Sequence, residues 1–332
     1  MKKWFICALA ATMAALLLSS GSASSLVFAG AGARQQAGAR QSSANVRQPF
    51  GKAMARNARH VGKLRIGERI RRRAENQANE TLALGSASVL VLDQMTGVPL
   101  LEKQAGKVMP IASISKLMTA MVALDAAQNM EEVILIAAED ASMPRGARSH
   151  LPVGISMTRD TALLLALMSS ENRAANALGR NYPGGMKAFV AAMNDKARAL
   201  GLRHTRFVEP TGLSLDNVST ARDLAYLVMA AHQYPKIREY STMAGASIDM
   251  GDRVLEFVNT NALVNNPQWR IGLSKTGYLS AAGRCLVMQA WVAGKPVVMV
   301  LLDSTGKMTR VGDANRIRRW MEGDATPENT DA

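Results

Sequence analysis

The chain has 332 residues, 48% hydrophobic and 20% charged, with a net charge of +14. That apolar content excludes a wholly disordered chain and leaves room for one large domain or two small ones. Four histidines (His60, His150, His204 and His232) show no His-Glu-x-x-His or similar ligand spacing, which argues against a zinc enzyme and gives no reason to expect a cofactor.

The N-terminus is the first element. Met1, Lys2 and Lys3 precede an apolar run over 4–18 and then small residues as far as Ala33. A charged start, an apolar middle and a small-residue end read as a cleavable secretory signal, assigned to 1–29 with the boundary between 23 and 31. The apolar run is shorter than the roughly 20 residues a membrane span needs. Cys7 lies inside this leader and lacks the small residues that a lipid-anchor signal places before its cysteine. The exported form then keeps only Cys285, which sits beside the apolar run 286–292 and reads as a small core residue. Export without an anchor predicts a periplasmic protein.

Residues 30–80 are a basic tail. Between 32 and 75, twelve Lys or Arg stand against Glu68 and Glu75, so ten of the fourteen net positive charges lie there. The tail is rich in Gln, Ala, Ser and Asn, has no apolar periodicity until about Val61, and is expected to be largely disordered. Two readings stay open: a solvated linker, or an electrostatic tether to anionic wall polymer or lipid headgroups. The secretory leader argues against nucleic acid.

From residue 81 to 322 the texture is that of a folded domain. Residues 86–92 alternate as a strand, 93–97 form a turn and 98–103 its hairpin partner. Helical patterns follow at 113–127, 158–168, 172–180, 185–200 and 220–232. Two apolar runs, 283–293 and 296–303, are joined by Gly294-Lys295 as a second hairpin. The last helix, 313–321, opens on Asp313 and carries Arg316, Arg318 and Arg319 towards its end, as the helix dipole prefers. Residues 323–332 read as a frayed acidic end. These elements predict an α/β (α+β) architecture: an antiparallel sheet built from both chain ends, helices on its faces and a helical region inserted between its strands.

Three short motifs carry candidate chemistry. Ser113-Ile114-Ser115-Lys116 opens an apolar helix, so the Lys116 amine and the Ser113 hydroxyl share one face. Burial would favour the neutral amine, which can accept the serine proton, and helix-start N–H groups can bind an oxyanion. The alternative for Ser113 is an ordinary helix cap. Ser170-Glu171-Asn172 lies at a break between two helical patterns, where a hydroxyl and an amide can reach a cleft, although such a turn needs no function. Lys275-Thr276-Gly277 precedes Tyr278 and leads into a strand run. Its lysine, hydroxyl and close-approach glycine suit a carboxylate, and the alternative is an edge strand with an exposed lysine. A second Ser-x-x-Lys at Ser304 to Lys307 falls in a Gly-containing turn, where the lysine would meet water, and a second Ser-x-Asn, Ser43-Ala44-Asn45, lies in the tail.

Together the three motifs resemble the Ser-x-x-Lys, Ser-x-Asn and Lys-Thr-Gly set of penicillin-binding proteins and serine β-lactamases. Segments 111–121, 169–182 and 274–287 are similar to low-molecular-mass D-alanyl-D-alanine peptidases, specifically the soluble endopeptidase branch, over about 83–322. The resemblance implies a β-lactamase/transpeptidase-like fold. It also implies peptidoglycan cross-links as substrate and β-lactams as covalent inhibitors. In that family's terms Ser113 is the acylated nucleophile, Lys116 its general base and Ser170 a proton relay to the leaving amine. Asn172 holds the substrate amide, Lys275 and Thr276 bind the carboxylate beside the scissile bond, and the Ser113 and Tyr278 N–H groups form the oxyanion hole. No Glu-x-Glu-Leu-Asn segment of the class A β-lactamase kind is present, so fast release of a penicilloyl group is not expected. The chain ends soon after the last helix, without the added domain and amphipathic anchor of many D,D-carboxypeptidases. A carboxypeptidase, a β-lactamase or esterase, and an inactive binder on the same fold remain the alternatives.

Overall fold

The computed structural model describes residues 82–142, 149–251 and 253–323. The leader and the basic tail lie outside the described residues, as does the end beyond Gly323. Among the described residues, no helix is long and apolar enough to cross a membrane.

In chain order, β1 (Ser86–Asp93) and β2 (Pro99–Lys103) form the first hairpin, and β3 (Met109–Pro110) leads to a 3₁₀ turn, Ala112–Ser115. Helix α1 (Lys116–Asp125) continues from that turn. The small ribbon of β4 (Val133–Leu135) and β5 (Ser156–Thr158) precedes α2 (Arg159–Met168), α3 (Asn172–Arg180) and α4 (Gly185–Ala199). Next come β6 (Val218–Ser219), α5 (Ala221–Ala231), α6 (Pro235–Thr242) and the ribbon β7 (Gly245–Asp249) and β8 (Val254–Val258). The chain closes with β9 (Arg270–Leu279), β10 (Gly283–Val292), β11 (Lys295–Ser304) and α7 (Thr309–Glu322).

The main sheet is antiparallel with order β2-β1-β11-β10-β9, so β1 from one end of the domain pairs with β11 from the other. The helical region is inserted between β2 and β9, as the sequence predicts. Side-chain alternation gives this sheet two buried faces. Leu90 and Leu92 of β1 join the core shared with α1 to α5, whereas Val89 and Val91 join a second core beneath Ala314 and Ile317 of α7.

Several predicted boundaries are met by caps. Thr158 and Thr220 each precede a helix and accept a hydrogen bond at Oγ1, from Thr161 N and Asp223 N at 3.1 Å. The β10–β11 turn is Ala293-Gly294, with φ of 50° and 75°, one residue earlier than expected; positive φ at both positions fits the twist of a tight hairpin. Ser304 is the buried last residue of β11 and bonds Ser86 Oγ at 2.7 Å, so it does not sit in the turn. Helix α7 begins at Thr309, four residues before Asp313. Asp313 is not its cap: its buried carboxylate accepts from Gly85 N at 3.1 Å and Ser86 N at 2.7 Å. Helix α6 and the two small ribbons escaped the sequence reading because each is short.

Candidate active site

The 3₁₀ turn places Ser113 at the mouth of α1, with Ala112 in left-handed backbone at φ 48°. Ser113 is not a helix cap; its hydroxyl stands 3.0 Å from Lys116 Nζ, three residues on. Lys116 is fully buried in the apolar α1. Its amine also donates to Asn172 Oδ1 at 2.7 Å and to the Thr211 carbonyl at 2.7 Å. Burial pulls its pKa down from 10.5 to about 7, against the opposing charges of Glu209 and Glu171.

The three partners of Lys116 fit the neutral amine, which has two N–H bonds and one lone pair. Asn172 Oδ1 and the Thr211 carbonyl can only accept, so they take the two hydrogens. Ser113 can donate as well as accept, so in the neutral amine the lone pair is free for the hydroxyl proton. This arrangement can draw a proton from Ser113.

The second motif lies between α2 and α3. Ser170 is in left-handed backbone at φ 63°, and Asn172 is the first residue of α3, which turns its amide to Lys116. The structure thus brings Asn172 to the lysine, while the bonding partners of Lys116 do not include Ser170. Glu171 between them is buried and accepts from Ser149 Oγ, from His150 N at 3.0 Å and from His150 Nδ1 at 2.9 Å.

The third motif lies within β9, at the edge of the sheet, and not ahead of a strand. Lys275 is only 1% exposed, so the exposed-lysine alternative is excluded. Its amine donates to the Thr276 carbonyl at 3.2 Å. Burial holds its pKa well below the usual lysine range, and the neighbouring charges of Lys116 and Arg310 add to this. An entering carboxylate would supply the opposite charge that favours the ammonium form of this buried amine. Thr276 Oγ1 donates to Thr260 Oγ1 at 2.6 Å. Gly277 lets the two segments pack closely: a Cβ there would stand 3.0 Å from the Ile111 carbonyl and 3.1 Å from Ser113 N. That closeness sets β9 against the nucleophile turn. Tyr278 follows, 54% exposed, with the Arg284 guanidinium 4.3 Å from its ring centroid.

Three contributors were not read from the sequence. Thr211 gives the lysine a carbonyl from 95 positions away, Arg310 of α7 donates to the Gly277 carbonyl at 3.1 Å, and Thr260 meets Thr276. Pro210 and Gly212 mark a turn in the sequence. Nothing local says which side chain that turn will meet.

A serine hydroxyl on a buried lysine, an amide across from it and a second buried lysine on an edge strand define a serine hydrolase of the β-lactamase-like fold. Known proteins bear this out. The family model described as D-alanyl-D-alanine carboxypeptidase matches residues 74–306, and the chain belongs to that family of serine peptidases. It is 52% identical to a D-alanyl-D-alanine endopeptidase of Pseudomonas aeruginosa, over 72% of this chain and 78% of the relative. An Escherichia coli protein of the same name is 47% identical over the same shares. Among solved structures, the Streptomyces K15 DD-transpeptidase superposes with a TM-score of 0.68 at 27% identity, covering 72% of this chain and 98% of that one.

Proposed function

We propose that the protein is a serine D,D-endopeptidase that hydrolyses D-alanyl-diaminopimelate cross-links of peptidoglycan through an acyl-enzyme on Ser113. The observation that carries this reading is the buried Lys116 amine, 3.0 Å from the Ser113 hydroxyl and held there by the Asn172 Oδ1 and Thr211 carbonyl acceptors. Ser113 Oγ attacks the D-alanyl carbonyl as its proton passes to Lys116. The oxyanion is held by the Ser113 and Tyr278 N–H groups. Ser170 relays a proton to the leaving amine, and water then attacks the ester to free Ser113. Asn172 aligns the substrate amide.

In a cross-link the leaving amine sits on a carbon that also bears a free carboxylate, as in a terminal D-alanyl-D-alanine. Lys275 and Thr276 can clamp either, so the choice of bond leans on the two relatives named endopeptidase. The charged start and apolar run over 4–18, read as a secretory signal, support a periplasmic site for this activity, with β-lactams as covalent inhibitors. The test is to digest cross-linked dimeric muropeptides and monomeric pentapeptides in parallel. Dimers should become monomers with little free D-alanine, and Lys275→Ala should slow this about tenfold to a hundredfold, the range of one lost charge-assisted contact. Abundant free D-alanine with intact dimers would make the enzyme a carboxypeptidase.

A further inference from the structure

We propose that Glu209 is the positioning residue of the catalytic base, its carboxylate holding the 209–214 turn so that the Thr211 carbonyl fixes the Lys116 amine towards Ser113. The inference rests on the reading of Lys116 as the group that takes the serine proton.

The carboxylate is saturated with donors from its own turn. One oxygen accepts from Thr211 N at 2.6 Å and from Thr211 Oγ1, and the other from Gly212 N at 2.7 Å, Ser214 N at 3.3 Å and Asn217 Nδ2 at 3.0 Å. Five donors on one carboxylate make a rigid hub, and Thr211 is buried at its centre. The Thr211 carbonyl leaves this hub at 2.7 Å from Lys116 Nζ.

The same hub is tied to the turn that carries the nucleophile. Asn217 Nδ2 also donates to Ser115 Oγ at 3.0 Å, and the Asn217 carbonyl accepts from Ile111 N at 3.1 Å. Ser115 Oγ donates in turn to the Ala112 carbonyl at 2.9 Å. Gly212, at φ 83°, packs so closely that a Cβ would fall 1.9 Å from that carbonyl. Thr119 of α1 donates to the Pro210 carbonyl at 2.6 Å, closing the contact from the other side. One carboxylate therefore sets the mutual position of the base's acceptor and the nucleophile's backbone.

Glu209 also acts on Lys116 through space. The charged groups acting on the amine are Glu209 from this turn, Glu171 from the start of α3 and Lys275 from β9, with Arg310 of α7 behind Lys275. The two carboxylates favour the ammonium, burial and Lys275 the neutral amine. A glutamine at 209 would remove one negative charge and offer a single acceptor oxygen to five donors.

Glu209→Gln and Glu209→Asp separate the two effects. The second-order rate of acylation by a fluorescent penicillin is followed from pH 5 to 9, with thermal melting as a check on folding. In the parent protein the rate should rise through an acidic limb near pH 7, where Lys116 loses its proton. Glu209→Gln should lower the plateau about tenfold to a hundredfold, as lost charge-assisted hydrogen bonds do, and move the limb to lower pH. Glu209→Asp keeps the charge but is too short to span the hub, so its plateau should fall about tenfold while the limb stays in place. A residue that only packed would leave the limb unmoved in both. A parent-like limb or plateau in folded Glu209→Gln overturns the proposal; should that variant not fold, a parent-like plateau in Glu209→Asp does so. Lys116→Ala tests the underlying reading: a parent-like rate and limb in that variant would remove Lys116 as the base whatever Glu209 does.

Discussion

Burial of an amine without a carboxylate partner decides how Lys116 behaves. With a folded pKa of about 7 against an ordinary 10.5, the native protein binds fewer protons than the unfolded chain between those values. Stability should therefore rise as pH climbs from about 7 towards 10, and Lys275, shifted the same way, adds to the trend. Denaturant midpoints measured across that range check the sign, and Lys116→Met should flatten the slope. At Ser113, penicillin is expected to leave a long-lived ester that peptide mapping finds on that residue, and Ser113→Ala should abolish it without lowering the melting temperature. The buried Ser304 cannot compete, since it is held by Ser86 within the sheet. Label on Ser304, or rapid release of penicilloic acid, would contradict the assignment.

At the scale of elements, the last helix is fastened to the first strand. Asp313 is fully buried and satisfies Gly85 N, Ser86 N and Ser86 Oγ where β1 begins, with Arg316 beside it. Asp313→Ala would strand those donors, at a cost of about 2–3 kcal/mol. Urea unfolding should show that loss while the acylation rate of the remaining folded protein stays near the parent value. Loss of acylation without loss of stability would mean that α7 governs the site directly. That outcome has a physical route, since Arg310 on the same helix touches Gly277. Much at this scale was legible in the sequence. The hairpin of β1 and β2 and the long helices follow from alternation and periodicity. Helix α6 was not, because only Ile237, Tyr240 and Ser241 of its eight residues are buried and no apolar stripe can be read from three positions.

For the whole molecule, the linker and tether readings of the basic tail make different predictions, and we propose the tether as the one to test. Ten of the net fourteen charges fall between 32 and 75, outside the described domain. Removal of 32–75 should leave turnover of small soluble substrates unchanged and weaken binding to isolated sacculi. The difference should be largest at low salt, because exposed charges are screened within about 10 Å at 0.1 M. Equal binding by both forms would reduce the tail to a linker.

The sequence alone determined the chemistry on offer and its order along the chain: a serine and lysine one helical turn apart, a Ser-x-Asn at a helix break, and a Lys-Thr-Gly beside a strand. Those spacings are local, and local geometry turns them into shared faces and turns. It also predicted the sheet from both ends, because apolar runs near the two termini need one another's edges. Only the tertiary structure decided that Lys275 is buried, that Asn172 and Thr211 accept from Lys116, and that the Glu209 carboxylate is bonded within the turn that carries Thr211. Those facts depend on segments 56 and 95 positions from the lysine in sequence, and burial and hydrogen bonding at such separations are set by packing and not by spacing.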